Sequence, residues 1–155
     1  MSDVNGRVSV RPAEAKDAPA LYEMIRELAA HQDELDYIHA TPESFCRDGF
    51  GEAPLFAAFI AEADGAIAGY VTYTTPYNVW AGRRLLHVDD LYVHEGFRSR
   101  GIGALLMARI GEVAARTGSQ VRWMVKPDNR RAIEFYESLG ATIVLRGMCY
   151  WRPGS

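Results

Sequence analysis

The chain has 155 residues, 48% hydrophobic and 24% charged, with a formal net charge of −3. That length fits a single domain, 1–155, able to bury a core without disulfide or metal staples, and the composition excludes disorder as the main state. A nucleic-acid binder is expected to be basic, so the acidic balance speaks against that class and mildly favours a cationic partner.

Val8-Ser9-Val10-Arg11 alternates before Pro12 and predicts a short strand. Asp17 stands where a helix cap would, and Leu21, Ile25, Leu28 and Ala29 follow at helical spacing to about Ala30. His31 to Ile38 is polar and irregular, and Thr41-Pro42 opens a second short helix. Phe56–Ala63 and Ala66–Thr75 predict a hairpin turned at Asp64-Gly65, and Tyr77–Gly82 a loop. Arg84–His94 reads as a strand, and Gly101 opens a helix with the stripe Ile102, Leu105, Leu106, Ile110, Val113 and Ala114, stopped by Gly118. Val121–Val125 is a further strand. Asp128 caps a last helix ending at Gly140, and Thr142–Leu145 and Met148–Trp151 read as closing strands.

That order predicts an α/β fold, a mixed and mostly antiparallel sheet with about four helices. The strand before the Gly101 helix and the one after it form a crossover, so they should run parallel.

Cys46 and Cys149 have neither CxxC nor metal-type spacing and read as thiols of a reducing cytoplasm. Met1 to Gly6 has no basic region followed by an apolar run, and no stretch approaches the ~20 apolar residues that span a bilayer. The expectation is a cytoplasmic protein without a membrane or nucleic-acid partner. His31, His39, His87 and His94 show no ligand spacing, so no metal is expected. Cys149 has no His or Asn partner pattern for nucleophilic work.

Arg98-Ser99-Arg100-Gly101-Ile102-Gly103 lies between a strand and a helix. Glycines let the backbone approach a bulky anion, a helix start offers N–H groups, and the arginines suit phosphate. The segment lacks the lysine and hydroxyl of a P-loop and the third glycine of a dinucleotide fingerprint. It reads as a pyrophosphate site or as an ordinary strand-to-helix turn that needs glycine for packing.

Arg98, Gly101 and Gly103 resemble the signature of the GNAT superfamily of acyl-CoA-dependent N-acetyltransferases. Asn129, Tyr136 and Leu139-Gly140-Ala141 are similar to its second segment, and the order of elements agrees along the whole chain. Asp48-Gly49-Phe50-Gly51-Glu52-Ala53-Pro54, Trp80-Ala81-Gly82-Arg83 and Val88-Asp89-Asp90-Leu91-Tyr92-Val93 resemble the diamine (spermidine/spermine) branch, whose relatives also take thialysine. The segment after Trp151-Arg152-Pro153 departs from that branch, which bears on the choice of amine.

The resemblance implies a parallel strand pair splayed at the cofactor site, acetyl-CoA as co-substrate, and a homodimer. It implies cofactor contacts from Leu91, Tyr92, Val93, Arg98, Ser99, Arg100, Gly101, Ile102, Gly103, Ala104, Asn129 and Tyr136, with a backbone N–H of Leu91 to Val93 as oxyanion donor. It makes Tyr136 the acid for the leaving thiolate and Asp89 the base, acting through water. Asp89 and Asp90 are adjacent and so point to opposite faces of a strand; at least one should meet the acceptor. Asp33 and Glu34, in a loop that also carries Asp36, and Trp80 by cation–π contact complete the expected acceptor residues. The expected activity is acetyl transfer to a primary amine of a small cationic acceptor by direct attack in a ternary complex. A CoA-binding sensor without turnover and a protein or peptide acetyltransferase are the alternatives.

Overall fold

Short apolar runs, nearly continuous and buried on both faces in Ala57–Ala63 and Ala66–Thr74, build five strands into one sheet. The computed structural model describes residues 7–154, so the reading of Met1 to Gly6 lies outside the described residues. The strands are β1 (Ser9–Pro12), β2 (Ala57–Ala63), β3 (Ala66–Thr74), β6 (Leu86–Val93) and β7 (Val121–Trp123), in that spatial order. The pairs β1–β2, β2–β3 and β3–β6 are antiparallel, whereas β6–β7 is parallel, as the crossover predicts. Asp64 (φ 54°) and Gly65 (φ 78°) turn the β2–β3 hairpin in the left-handed geometry that such turns require. The expected loop at Tyr77–Gly82 is the tip of a small hairpin, β4 (Tyr77–Asn78) with β5 (Arg83–Arg84).

Four α-helices occur among the described residues: α1 (Ala18–His31), α2 (Pro42–Phe50), α3 (Ile102–Thr117) and α4 (Arg130–Ser138). Helix α2 starts in a reciprocal cap, Thr41 accepting from the Ser44 N–H and Ser44 from the Thr41 N–H. Asp17 does not cap α1 with its side chain. Its buried carboxylate instead accepts from Arg11 at 2.7 and 3.0 Å and from the Glu14 N–H, because a buried charge needs a full partner set. At α4 the capping side chain belongs to Asn129, which accepts the Ala132 N–H at 3.2 Å, and not to Asp128.

Contacts divide the chain into two compact units, one through Trp123 and one from Met124 onward. In the first unit, α3 buries Ile102, Leu106, Ile110 and Ala114 in a core with Phe59, Val71, Leu86 and Val88; Leu105 of the expected stripe is exposed instead. A second core joins α1 and α2 (Leu21, Tyr22, Phe45) to Ile60, Tyr70 and Tyr92. The second unit holds α4, stopped at Gly140 (φ 90°), and the segment that follows. Thr142–Leu145 and Met148–Trp151 are not strands: no ladder includes them, and Val144, Leu145, Tyr150 and Trp151 stand exposed without the neighbouring strand that fixes an extended chain.

Candidate active site

The β3–β6 ladder carries a bulge. Thr72 pairs with Asp90 and Tyr73 with Val88, which leaves Asp89 as the extra residue. Beyond the bulge, β6 continues to Val93, but its ladder with β7 ends at Val88–Trp123. The His94 N–H bonds to Ala68 of β3, so by alternation the N–H groups of Leu91 and Val93 face the side that β7 leaves uncovered. The parallel ladder thus stops five residues short of the end of β6, whose last residue, Val93, lies close in sequence to the glycine-rich turn. Leu91 and Val93 direct their side chains to the α3 core, while Tyr92 turns the other way and donates its hydroxyl to Glu27 of α1 at 3.2 Å.

Gly101 takes φ 75°, and no side chain caps α3, so the first-turn N–H groups at Ile102, Gly103 and Ala104 suit an anion. Ser99 also has positive φ, 64°. Arg98 donates Nε to the Val93 carbonyl at 3.1 Å, tying the turn to the end of β6. Arg100, expected at phosphate, is held by Asp64 at 2.7 Å and lies 5.7 Å over the Phe97 ring. The residues therefore fit a pyrophosphate through backbone N–H groups and Arg98 more than through Arg100. Asn129 caps α4, and Tyr136, two turns on, is part-buried; burial pushes its phenol pKa up.

On the opposite face of the sheet from α3, a cleft of about 120 Å³ opens between α1, the loop after it, and β6. Its walls are mainly apolar, from Ile25, Leu28, Ala29, Tyr37 and Ile38, with two carboxylates, Glu34 and Asp90. Asp90 is pushed up to about 6, chiefly by burial and next by the charge of Asp89, while the Thr72 hydroxyl acts the other way. Such a site suits a cation on an alkyl stem.

Asp89 does not line this cleft. Its half-exposed carboxylate sits 3.7 Å from His87 Nε2, and burial raises its pKa. Asp33 is exposed with φ 59°, outside the cleft wall. Trp80 stands 99% exposed at the β4–β5 tip, held there because the Asn78 side chain accepts from the N–H groups of Trp80 and Ala81. It too lies outside the cleft wall. The sequence reading missed Ile25, Leu28, Tyr37 and Ile38 as cleft walls and Thr72 as the partner of Asp90. The α1 periodicity marked Ile25 and Leu28 as core positions only, and a bulge has no residue signature here.

The acetyltransferase (GNAT) family model matches residues 20–141. The chain belongs to that family. It is similar to thialysine N-epsilon-acetyltransferase of Sus scrofa, 36% identical over 143 residues, which cover 86% of this chain and 84% of that protein. The Bos taurus protein of the same name is 34% identical over the same shares. Spermidine/spermine N(1)-acetyltransferase-like protein 1 of Homo sapiens is 34% identical over 85% of this chain and 20% of its own length. Among solved structures, an aminoglycoside N-acetyltransferase in complex with CoA superposes with a TM-score of 0.78 at 18% identity, over 99% of both chains. The family and these relatives make the chain an N-acetyltransferase. Among the described residues no His, Cys, Asp or Glu group could hold a metal ion, and no helix is long and apolar enough to cross a membrane.

Proposed function

We propose that the chain moves an acetyl group from acetyl-CoA to a primary amine of a small cationic acceptor, a polyamine, thialysine or a similar compound, by direct attack in a ternary complex. The cleft carries this reading: one part-buried carboxylate, Asp90, closes an apolar slot with Glu34. The printed activities of the relatives agree with it.

Acetyl-CoA, when bound, would supply the activated acetyl group, its C–S bond being exchanged for the amide C–N bond with CoA released as the thiol. The open N–H groups of the α3 first turn and Arg98 are the groups we assign to its pyrophosphate, and the N–H groups of Leu91 and Val93 to the carbonyl oxygen. Asp90 holds the acceptor's ammonium. A free alkylammonium has a pKa of ~10.4, and the apolar walls lower it by disfavouring the charged form. Asp90, at about 6 before a cation binds, is a weak base for an ammonium it pairs with, so the proton leaves by way of a water held on Asp90. Asp90, rather than Asp89, is therefore our choice for this step, and Asp89 sets its field from the bulge. Tyr136 keeps its proton at neutral pH, the state an acid for the thiolate requires.

We also place the protein in the cytoplasm as a homodimer. Free cysteines at positions 46 and 149 agree with a reducing compartment, and exposed Tyr77, Val79 and Trp80 offer an apolar tip for a partner copy. The test of the site is Asp90→Asn: the acceptor KM should rise at least about tenfold, as for loss of a charged hydrogen bond, with the acetyl-CoA KM unchanged. An unchanged acceptor KM contradicts the reading.

A further inference from the structure

Tyr70 is fully buried in the α1–α2 core, and its hydroxyl has no hydrogen-bond partner among the described residues. Nearly all buried hydroxyls are satisfied, so an orphan needs a reason. Its place supplies one. Tyr70 stands opposite Tyr92 on β3–β6, and the next pair on that face is Thr72 with Asp90, which makes Tyr70 and Asp90 diagonal neighbours. Tyr70 packs in the same core as Ile25 and Leu28, the residues that wall the cleft. Asp90 is the charge that acts most on its phenol, ahead of Tyr92 and Glu27.

We infer that Tyr70 is a positioning residue for acetyl transfer: its hydroxyl donates, through a water shared with the Asp90 carboxylate, from beneath the floor of the acceptor cleft. Burial keeps the phenol protonated at every working pH, so it is a permanent donor. A donor to a carboxylate favours the charged form. Tyr70 thereby offsets part of the burial of Asp90 and keeps it ready to hold a cation.

Several other groups face this pair. Glu27 and His31 come from α1, Glu34 and Tyr37 from the loop after it, and Asp89 and Tyr92 from β6; His94 lies 3.8 Å from Glu27. None of these is altered by Tyr70→Phe, which removes one hydroxyl and keeps the ring.

The inference rests on the reading of Asp90 as the acceptor carboxylate, and the experiment separates the two. The pH profile of acceptor kcat/KM is measured for the wild type, Tyr70→Phe, Asp90→Asn, and a chain with 3-fluorotyrosine at position 70. Tyr70→Phe should move the acid limb up by about half a pH unit or more, since the carboxylate loses a donor, with the acetyl-CoA KM unchanged. Fluorotyrosine, a stronger donor of nearly the same shape, should move the limb down. An acid limb that stays in place in a folded Tyr70→Phe overturns the inference about Tyr70 while leaving Asp90 intact. Should Tyr70→Phe not fold, the fluorotyrosine chain decides in the same way. An acid limb that persists in Asp90→Asn overturns the acceptor reading and the inference together.

Discussion

Thr72 and Asp90 face each other across the β3–β6 ladder, and the Thr72 hydroxyl accepts the Asp90 N–H at 3.1 Å. This bond sits at the bulge, where a backbone pair is displaced, and it holds the Asp90 backbone at the point where the strand passes the acceptor cleft.

Asp90 should therefore cost stability where it serves function. Its pKa is raised from 3.8 to about 6 on folding, so the folded state binds this proton more tightly than the unfolded chain. Stability from this group is greatest below pH ~4, falls as pH climbs towards 6, and stays low above it. At pH 7.5 the penalty is on the order of 3 kcal/mol. Asp90→Asn should raise the melting temperature by roughly 6 °C or more at pH 7.5 and by much less at pH 4. Scanning calorimetry at both values checks this, and a variant that melts lower at pH 7.5 contradicts it.

Tyr136→Phe should lower kcat about 100-fold, in the range for loss of a general acid. Because the phenol's main assignment is the proton rather than its contact with the cofactor, acetyl-CoA affinity by calorimetry should change far less than turnover, by under the ~1.4 kcal/mol that a tenfold change represents. Equal turnover in the variant removes Tyr136 from the mechanism.

Gly69 has no room for a side chain. A Cβ there would meet the Tyr92 carbonyl oxygen at 2.5 Å and the Val93 Cα at 3.2 Å, both backbone atoms. Gly69→Ala should cost about 2–3 kcal/mol and push β6 outward where its N–H groups are needed. The expected signs are a lowered melting temperature and a raised acetyl-CoA KM. A variant with wild-type values for both shows that the strands part freely.

Much of this was legible in the sequence, and the exceptions share a cause. Apolar runs, helical spacing and helix-start and turn residues together locate every strand of the main sheet and all four helices, and the Gly101 turn stands out by residue type. Local polar chemistry was harder to read. Asp17 and Asp128 both look like caps, yet Asp17 is claimed by Arg11 from β1, and Asn129 takes the cap of α4. The apolar runs after Gly140 have strand composition but no ladder, since strand pairing depends on a neighbour and not on the run itself. The two aspartates were identified, but which one faces the cleft depends on a bulge that places Asp89 beside His87.

Trp80 and Val79 form the exposed tip of the β4–β5 hairpin. In the proposed homodimer this tip meets the partner copy, so Trp80→Ala with Val79→Ser should shift sedimentation from dimer to monomer. The acceptor KM should stay within about twofold, since small surface changes away from a site carry little energy. A raised acceptor KM in a dimer that stays intact returns Trp80 to the acceptor side.

Thiol release from acetyl-CoA is the decisive measurement, made with a panel of amines: spermidine, spermine, putrescine, thialysine, lysine, other amino acids and a peptide. Turnover is expected with the small cationic amines, at an acceptor KM raised at least about tenfold in Asp90→Asn, and little with the peptide. Silence across the small amines while acetyl-CoA still binds, or turnover with the peptide alone, would contradict the proposed function.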